Sequence, residues 1–307
     1  MTAAYQIQYI KHRQVDKTKW DSCIGNVSNS LLYNHSSYLD CMAAGWDALV
    51  LNDYEAVMPL TWRRKWGITY LYQPYFMAQL GITGNNITPA LVDAFLYAIP
   101  SHIRYIDIDI AETNDTIDFV SFCNKRVNML LDIDKDYNII SDQYHRLATR
   151  MIRKAKEAAI TVETSDAIAD SIAFYQQQYS GQLPVPPADY QNITNLFNIA
   201  AKKGQLVSLV AKKNNQLMGV YLLLQDNHFV YSVLGGSSPE GKEQGVFYLL
   251  TDAAIQLTAN SGRGFRFEGS DKPGIAGFNQ QFGAAPFTYH HLRINRLPYL
   301  LRFLKNS

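Results

Sequence analysis

The sequence predicts an α/β protein of two lobes, residues 1–140 and 141–307, each a mixed, mostly antiparallel sheet flanked by helices. Three observations lead there. The first half reads strand, helices, hairpin, extended segment, helix, strand, helix, strand. The second half follows a similar order, two helices, three antiparallel strands, a helix, a strand, a short helix and a strand, with no residue-level repeat. Arg263 to Tyr289, RGFRFEGSDKPGIAGFNQQFGAAPFTY, packs the end of that order into one stretch. Phe265 and Phe267 alternate with Arg266 and Glu268 on a short strand. Gly269-Ser270-Asp271 stops it, Pro273 and Gly274 open a helix from Ile275 to Phe282, and Gly283 ends that helix before a strand over Phe287 to Ile294. Such a layout brings a carboxylate and small polar groups to the C-terminal edge of a sheet, where open α/β sheets keep their ligands.

Along the first half, Tyr5 to His12 alternates as a strand, and Asp16 is placed to cap a helix through Ile24. Ser36 or Ser37 is placed to cap a helix from Tyr38 to Ala44, ended by Gly45. Trp46 to Leu51 and Glu55 to Arg64 form a hairpin around Asn52-Asp53, with Pro59 marking an edge or bulged position. An extended stretch begins at Tyr70 and runs to Gly81. Pro89 opens a helix to Ile99, stopped by Pro100. Ile106, Ile108 and Ile110 then alternate with Asp107 and Asp109, the pattern of a half-buried strand with a solvated acidic face or, alternatively, a cleft-facing carboxylate pair. A helix from Asp115 to Lys125 and a strand from Val127 to Ile133 complete this half.

A long helix is expected from Ser141 to Ala158, and a second, capped by Asp166, to Tyr179. After the Pro-rich loop LPVPPADY comes a helix from Asp189 to Lys203. Three strands follow, Gln205 to Lys212, Gln216 to Leu224 and His228 to Leu234, the last ended by Gly235-Gly236. A helix spans Val246 to Asn260, and another the apolar Leu297 to Leu304.

With 307 residues, 47% of them hydrophobic, the chain can bury a sizeable core. A net charge of +1 gives no global field toward nucleic acid or a membrane surface. The three cysteines, Cys23, Cys41 and Cys123, fit no metal spacing and point to a reducing compartment. The N-terminus lacks a signal-peptide core and no apolar run is long enough to span a membrane, so a soluble, cytoplasmic protein is expected.

Five segments carry a family resemblance: SYLDCMAAGW (Ser37 to Trp46), VMPLTWRRKWG (Val57 to Gly67), YLYQPYFMAQLG (Tyr70 to Gly81), RMIRKAKEAAITVE (Arg150 to Glu163) and FRFEGSDKPGIAGFNQQFGA (Phe265 to Ala284). In their order and spacing the chain resembles the GNAT acyltransferase fold, and more closely the tandem-GNAT arrangement of Fem-type aminoacyltransferases and related bacterial proteins. The resemblance implies transfer of an acyl or aminoacyl group to an amine. The donor would be an acyl-coenzyme A thioester or an aminoacyl-tRNA, with no tightly bound cofactor. The acceptor would be a small molecule or a cell-envelope precursor. It also implies a pyrophosphate cradle of the pattern Gln or Arg, two residues, Gly, one residue, Gly or Ala. Here that loop reads Lys242-Glu243-Gln244-Gly245-Val246-Phe247. Gly245 fits, Lys242 replaces Gln or Arg, and Phe247 stands in place of a small residue. The departure weakens the coenzyme A reading and suits either the Fem branch or a lobe that no longer binds a donor.

Acyl transfer to an amine needs a base, donors for an oxyanion and a proton for the leaving group. Glu268 is the first candidate base, with Asp271 read rather as a cap. Backbone N–H groups near Leu234 and Gly235 are the oxyanion candidates, because Gly at a strand end permits a bulge; a plain turn at Gly235-Gly236 is the alternative. Tyr231 and Tyr289 either donate a proton or pack with a satisfied hydroxyl. Arg146, Arg150, Arg153 and Lys154 share one helix face, either solvated or contacting phosphates of a nucleotide-bearing ligand or tRNA. His290 and His291 point to opposite faces of a strand and make no two-His metal site. No DNA-binding or nucleotide-hydrolysis motif occurs, and no metal site is expected. A catalytically silent GNAT-like binding protein is the competing reading, and an RNA-binding module is disfavoured by the neutral charge.

Overall fold

The computed structural model describes residues 5–111, 123–179, 181–182 and 184–302. The chain divides into two compact units, 1–126 with 288–307, and 127–287. The division near residue 140 read from the sequence falls inside the second unit. The C-terminal segment groups with the first, because Asn295 to His290 pair antiparallel with Tyr105 to Ile110.

The first unit runs β1 (Ile7–Ile10), α1 (Lys17–Gly25), α2 (Ser36–Met42), β2 (Trp46–Leu51), β3 (Ala56–Lys65), β4 (Ile68–Tyr72), β5 (Thr83–Gly84), α3 (Pro89–Tyr97) and β6 (Ile103–Ile110). Asp16 caps α1 as expected, accepting from the Thr18 and Lys19 amides at 3.0 and 3.1 Å. Thr88 caps α3, with Pro89 in its first turn. Ser36 does not cap α2; its amide and hydroxyl both donate to Asp21. Pro59 lies opposite Ala48 of β2. On the other side of β3, β5 pairs only with Ala56–Val57 and β4 only with Trp62–Lys65. Pro59 thus faces the gap between two partners, where its missing N–H leaves no ladder bond unmade. The β3–β4 hairpin turns through Trp66 at φ +50° and Gly67 at φ +76°. This tight turn favours Asn-Gly, and a left-handed non-Gly residue costs about 1–2 kcal/mol.

The acidic face of β6 is paired rather than simply solvated, with Asp107 partly exposed. Asp109 is only 8% exposed. It accepts from Arg126 Nη1 at 2.8 and 2.9 Å and lies 2.8 Å from His291 Nδ1. Asp107 lies 3.2 Å from His291 Nε2 and accepts from the Tyr105 hydroxyl at 3.1 Å. Hydrogen bonding to Asp107 and Asp109 raises His291 to about 9. The alternation in the sequence was right; the partners came from residues far along the chain.

The second unit takes in most of β7 (Cys123–Asp132), then α4 (Tyr137–Ser141), α5 (Arg146–Glu157), β8 (Thr161–Thr164), α6 (Ile168–Gln178), α7 (Pro187–Lys202), β9 (Leu206–Lys213), β10 (Gln216–Gln225), β11 (Phe229–Ser237), α8 (Pro239–Glu243), α9 (Val246–Thr258), β12 (Gly264–Phe267) and α10 (Pro273–Gln280). Through β13 (Ala285–Asn295) the chain returns to the first unit, ending in α11 (Tyr299–Arg302). The helix predicted over Asp115 to Lys125 lies mostly outside the described residues; its last three, Cys123 to Lys125, are strand. The long helix predicted from Ser141 is broken. Residues 142–145 form the break, where the His145 amide donates to the Gln281 carbonyl at 2.9 Å. Asp166 does not cap α6; Ser165 Oγ accepts from the Ala167 amide instead. The strands of this unit pair in the order β7-β12-β11-β10-β9-β8. Met129, Leu131, Leu223, Leu250, Ile255, Phe265 and Phe267 are among the core residues that α5 and α9 help to cover.

A candidate active cleft in the second unit

The cleft begins with a mismatch of strand lengths. β11 has nine residues and β12 four, and their parallel pairing covers only Phe229–Tyr231 against Gly264–Arg266. Beyond Tyr231 and Arg266 the two strands part. Antiparallel pairing to β10 continues, Leu234 opposite Leu222 and Gly235 opposite Tyr221, after a register shift that leaves Val233 as the bulged residue. Gly235 and Gly236 therefore lie inside β11 rather than ending it. The bulge sits directly before Leu234, so the amides proposed as oxyanion donors stand on a bent strand. Part of the backbone of this half of β11 faces the side that β12 has left.

Glu268 follows β12 on the same side of the divergence. Its side chain is 9% exposed. Asn128 Nδ2 donates a short hydrogen bond to its Oε2, and Arg266 Nε lies 3.8 Å from Oε1. Asn128 donates to it and Arg266 faces it at ion-pair distance without a hydrogen bond from Nε, so both favour a carboxylate, the form a base must have. Asn128 is itself buried, and its Oδ1 accepts from the Met129 amide. The Arg266 guanidinium lies over the rings of Phe229 and Phe287, at 4.9 and 4.7 Å from their centroids. The loop after Glu268 turns at Gly269 (φ +77°), and Ser270 fixes it by donating to the Phe267 carbonyl and accepting from Asn279 of α10.

α9 starts beside the upper part of β11. Its N-cap is Gly245 at φ +79°, and the first helical bond runs from the Leu249 amide to the Gly245 carbonyl. The preceding amides are the helix N-terminal donors that anions favour. Two features narrow this approach. A Cβ on Gly245 would lie 2.5 Å from the Met151 carbonyl oxygen of α5, so Gly245 serves close helix packing. Phe247 turns its ring onto β11, packed against Tyr221 and Phe278 at centroid separations of 5.0 and 5.4 Å. On Gly235 a Cβ would be 2.7 Å from that ring, and on Gly236 2.5 Å from the ring of Tyr179. The two glycines thus accommodate aromatic rings, a third role that neither reading of the sequence contained.

The basic face of α5 is exposed, with Ile152 and Ala155 on the buried side. It runs along α9. Lys154 Nζ donates to the Glu243 carbonyl at 2.7 Å, and Arg150 is close enough to Tyr248, in the first turn of α9, to act on its hydroxyl electrostatically. Arg153 makes an exposed pair with Glu157 at 3.7 Å. Lys242 stands over the Tyr179 ring at 5.3 Å.

The structure therefore gathers Glu268 and the diverging half of β11, with Leu234 and Gly235, at one end of the sheet, and Gly245 and Arg150 around the start of α9. Tyr231 is fully buried, and its hydroxyl donates to Asp226 at 2.9 Å, in the β10–β11 turn. Tyr289, 6% exposed, belongs to the first unit. His291 is taken up by Asp107 and Asp109. Asn128 and Arg266 were not singled out from the sequence. A polar Asn inside the apolar run Val127–Leu131 was the available signal. Among the described residues no group of three or more His, Cys, Asp or Glu is placed to hold a metal ion.

Comparison with known proteins bears on the fold. Residues 143–273 match the family model of the Acetyltransferase (GNAT) domain. A search of curated proteins finds no match. Among solved structures the chain is similar to FemX, with a TM-score of 0.69 at 13% identity, covering 98% of this chain and 100% of that one. It is similar to a conserved protein of unknown function from Bacteroides thetaiotaomicron, with a TM-score of 0.62 at 6% identity over 95% and 100% of the chains. A tandem GNAT protein from the clavulanic acid biosynthesis pathway superposes with a TM-score of 0.56 at 10% identity, over 95% and 99%. At these identities the structural likenesses speak for the fold.

Proposed function

We propose, for a chain whose residues 143–273 match a GNAT domain and whose fold is similar to that of FemX, that it transfers an aminoacyl group from an aminoacyl-tRNA to an amine, with Glu268 as the base. The divergence of β11 from β12, with Glu268 at its mouth, carries this reading. The attacking amine must lose a proton, and a carboxylate oriented by Asn128 and Arg266 can accept it. The Leu234 and Gly235 amides, after the bulge, would take the oxyanion. The bond from Tyr231 to Asp226 favours a packing role for that hydroxyl, and Tyr289, in the first unit, has no part in the second unit's proposed site.

For the donor, the Phe247 ring over Gly235 and the Met151 carbonyl beside Gly245 disfavour a coenzyme A arm and pyrophosphate at this place. Arg146, Arg150 and Arg153 supply cationic groups that suit tRNA phosphates. The acceptor class, an amine of a cell-envelope precursor, rests on the family resemblance. The same Phe247 packing also favours a second reading, a silent GNAT-like protein that binds without turnover.

Calorimetry of the full chain with acetyl-coenzyme A and with a non-hydrolysable aminoacyl-tRNA mimic tests the proposal. Binding of the mimic, and transfer of the aminoacyl group from the authentic ester to an amine, is expected. Tight thioester binding overturns the donor assignment. Saturable binding without transfer establishes the silent reading.

A further inference from the structure

The first unit carries a cationic, aromatic surface that the acyltransfer reading does not use. Of the exposed large hydrophobic residues, three stand above all others: Trp66 at 79%, Tyr97 at 86% and Tyr299 at 85%. They come from a hairpin tip, a helix end and the C-terminal helix, yet the topology collects them at one end of the unit. Lys65 pairs with Ile68 across the hairpin, Thr69 with Ile103, and the Arg296 amide donates to the Arg104 carbonyl at 2.8 Å. Arg296 also reaches the Ile99 carbonyl at 3.2 Å, two residues after Tyr97.

Between these elements is an open cleft of about 430 Å³, whose walls include Thr69, His102, Arg104, Arg296, Tyr299 and Arg302. Among the described residues, no acidic one lines it. Lys65 Nζ is 4.8 Å above the Trp66 ring. Three Arg side chains thus line one cleft, and Arg64 and Lys65 end the adjoining strand, on a chain whose net charge is +1.

Trp66 is also in an expensive conformation. Five of the nine non-Gly residues with positive φ among the described residues are Asn, the side chain that tolerates it best. Two of the others are aromatic but tied into the fold: the Tyr54 hydroxyl accepts from the Asp16 amide, and the Phe76 carbonyl accepts from Tyr38. The Trp66 ring instead projects from the hairpin tip. A strained, exposed indole marks a position where something other than folding sets the residue.

We infer that this end of the first unit docks on the surface of an anionic phospholipid bilayer. Trp and Tyr rings settle at the headgroup level, and Arg and Lys beside them meet anionic headgroups. A single-stranded nucleic acid would want its aromatic rings along the groove that tracks the backbone. Here, of the three exposed aromatic rings, Tyr299 alone lines the cleft, beside His102, while Trp66 and Tyr97 stand outside it as separate projections. The docking is independent of which group the second unit transfers.

Co-sedimentation of the full chain with vesicles tests this directly. The chain should bind vesicles containing phosphatidylglycerol at low salt, lose them at high salt, and ignore pure phosphatidylcholine. Arg104→Gln and Arg302→Gln should each lower partitioning about fivefold, the worth of one basic residue near such a surface. Trp66→Asn should lower it too, while raising the melting temperature by relieving the hairpin strain. A structural role for the indole would instead lower stability and leave vesicle binding intact, which overturns the inference. Equal binding to both lipids, or binding of a single-stranded oligonucleotide with neglect of vesicles, would overturn it as well.

Discussion

The ring of Phe247 lies against Gly235, so close that a Cβ on the glycine would sit 2.7 Å from it. The contact places an aromatic side chain over the strand whose amides are proposed to hold the reacting carbonyl. It predicts that Phe247→Ala opens the approach along β11. Acetyl-coenzyme A should then bind at least about tenfold more tightly than to the wild type by calorimetry, a gain of about 1.4 kcal/mol. Truncating this half-buried ring should cost about 2–3 kcal/mol of stability, below the loss for a fully buried Phe. Unchanged affinity in a folded variant would show that Phe247 does not guard the site.

Glu268 is asked to do chemistry while also facing Arg266 at 3.8 Å. Glu268→Gln keeps an oxygen for Asn128 but removes both the charge and the proton-accepting capacity. Transfer should fall by about 10²–10⁴-fold, the usual worth of a general base. Stability should fall by only about 1–2 kcal/mol, the scale of one charge-assisted bond. Turnover measured beside thermal melting separates the roles. Retained transfer with a large melting loss would make Glu268 structural.

Much of this arrangement was legible because it is local. Asp16 and Pro89 lie within a few residues of the helices they start, and the meander of three strands follows from alternation alone. What stayed hidden depends on distant partners. The Asp107 and Asp109 face looked solvated because Arg126 and His291 are 17 and 182 residues from Asp109. The helix from Ser141 looked continuous because its break is bonded to Gln281. Gly235 and Gly236 looked like a strand end because the rings that demand them, Phe247 and Tyr179, come from elsewhere. Glu268 stands out as a candidate because a carboxylate at a strand end beside Gly269 is a local pattern; its partner Asn128, 140 residues away, does not. Net charge, a sum over the chain, concealed the cationic end of the first unit.

His291 joins β13 to β6 through Asp107 and Asp109, and its pKa is raised from 6.5 to about 9 by those hydrogen bonds. A group raised on folding stabilises the protein below its unfolded pKa, and that contribution disappears as pH climbs through the folded value. Stability should therefore decline between about pH 6.5 and 9, by at most about 3 kcal/mol for this shift. Asp107, lowered on folding despite its burial because His291 and Tyr105 bond it, acts on the acid side, where its contribution is lost as pH falls. Urea titrations of wild type and His291→Gln should differ most just below about pH 6.5 and converge above about pH 9. Parallel curves across that range would show that the imidazolium is not what the two carboxylates hold.

Gly245 and Gly262 offer a matched test of why the cradle glycine is there. Both have positive φ, +79° and +71°, but a Cβ on Gly262 would meet nothing within 4 Å, whereas on Gly245 it would meet the Met151 carbonyl at 2.5 Å. Gly262→Ala should cost only the backbone strain, about 1 kcal/mol. Gly245→Ala should cost that and the forced separation of α5 from α9, about 3 kcal/mol in all, since inserting a methyl against backbone adds overpacking to strain. Denaturant unfolding of the two variants gives the difference directly. Equal losses would mean that α5 yields easily, and that the start of α9 is open enough to admit a phosphate after all.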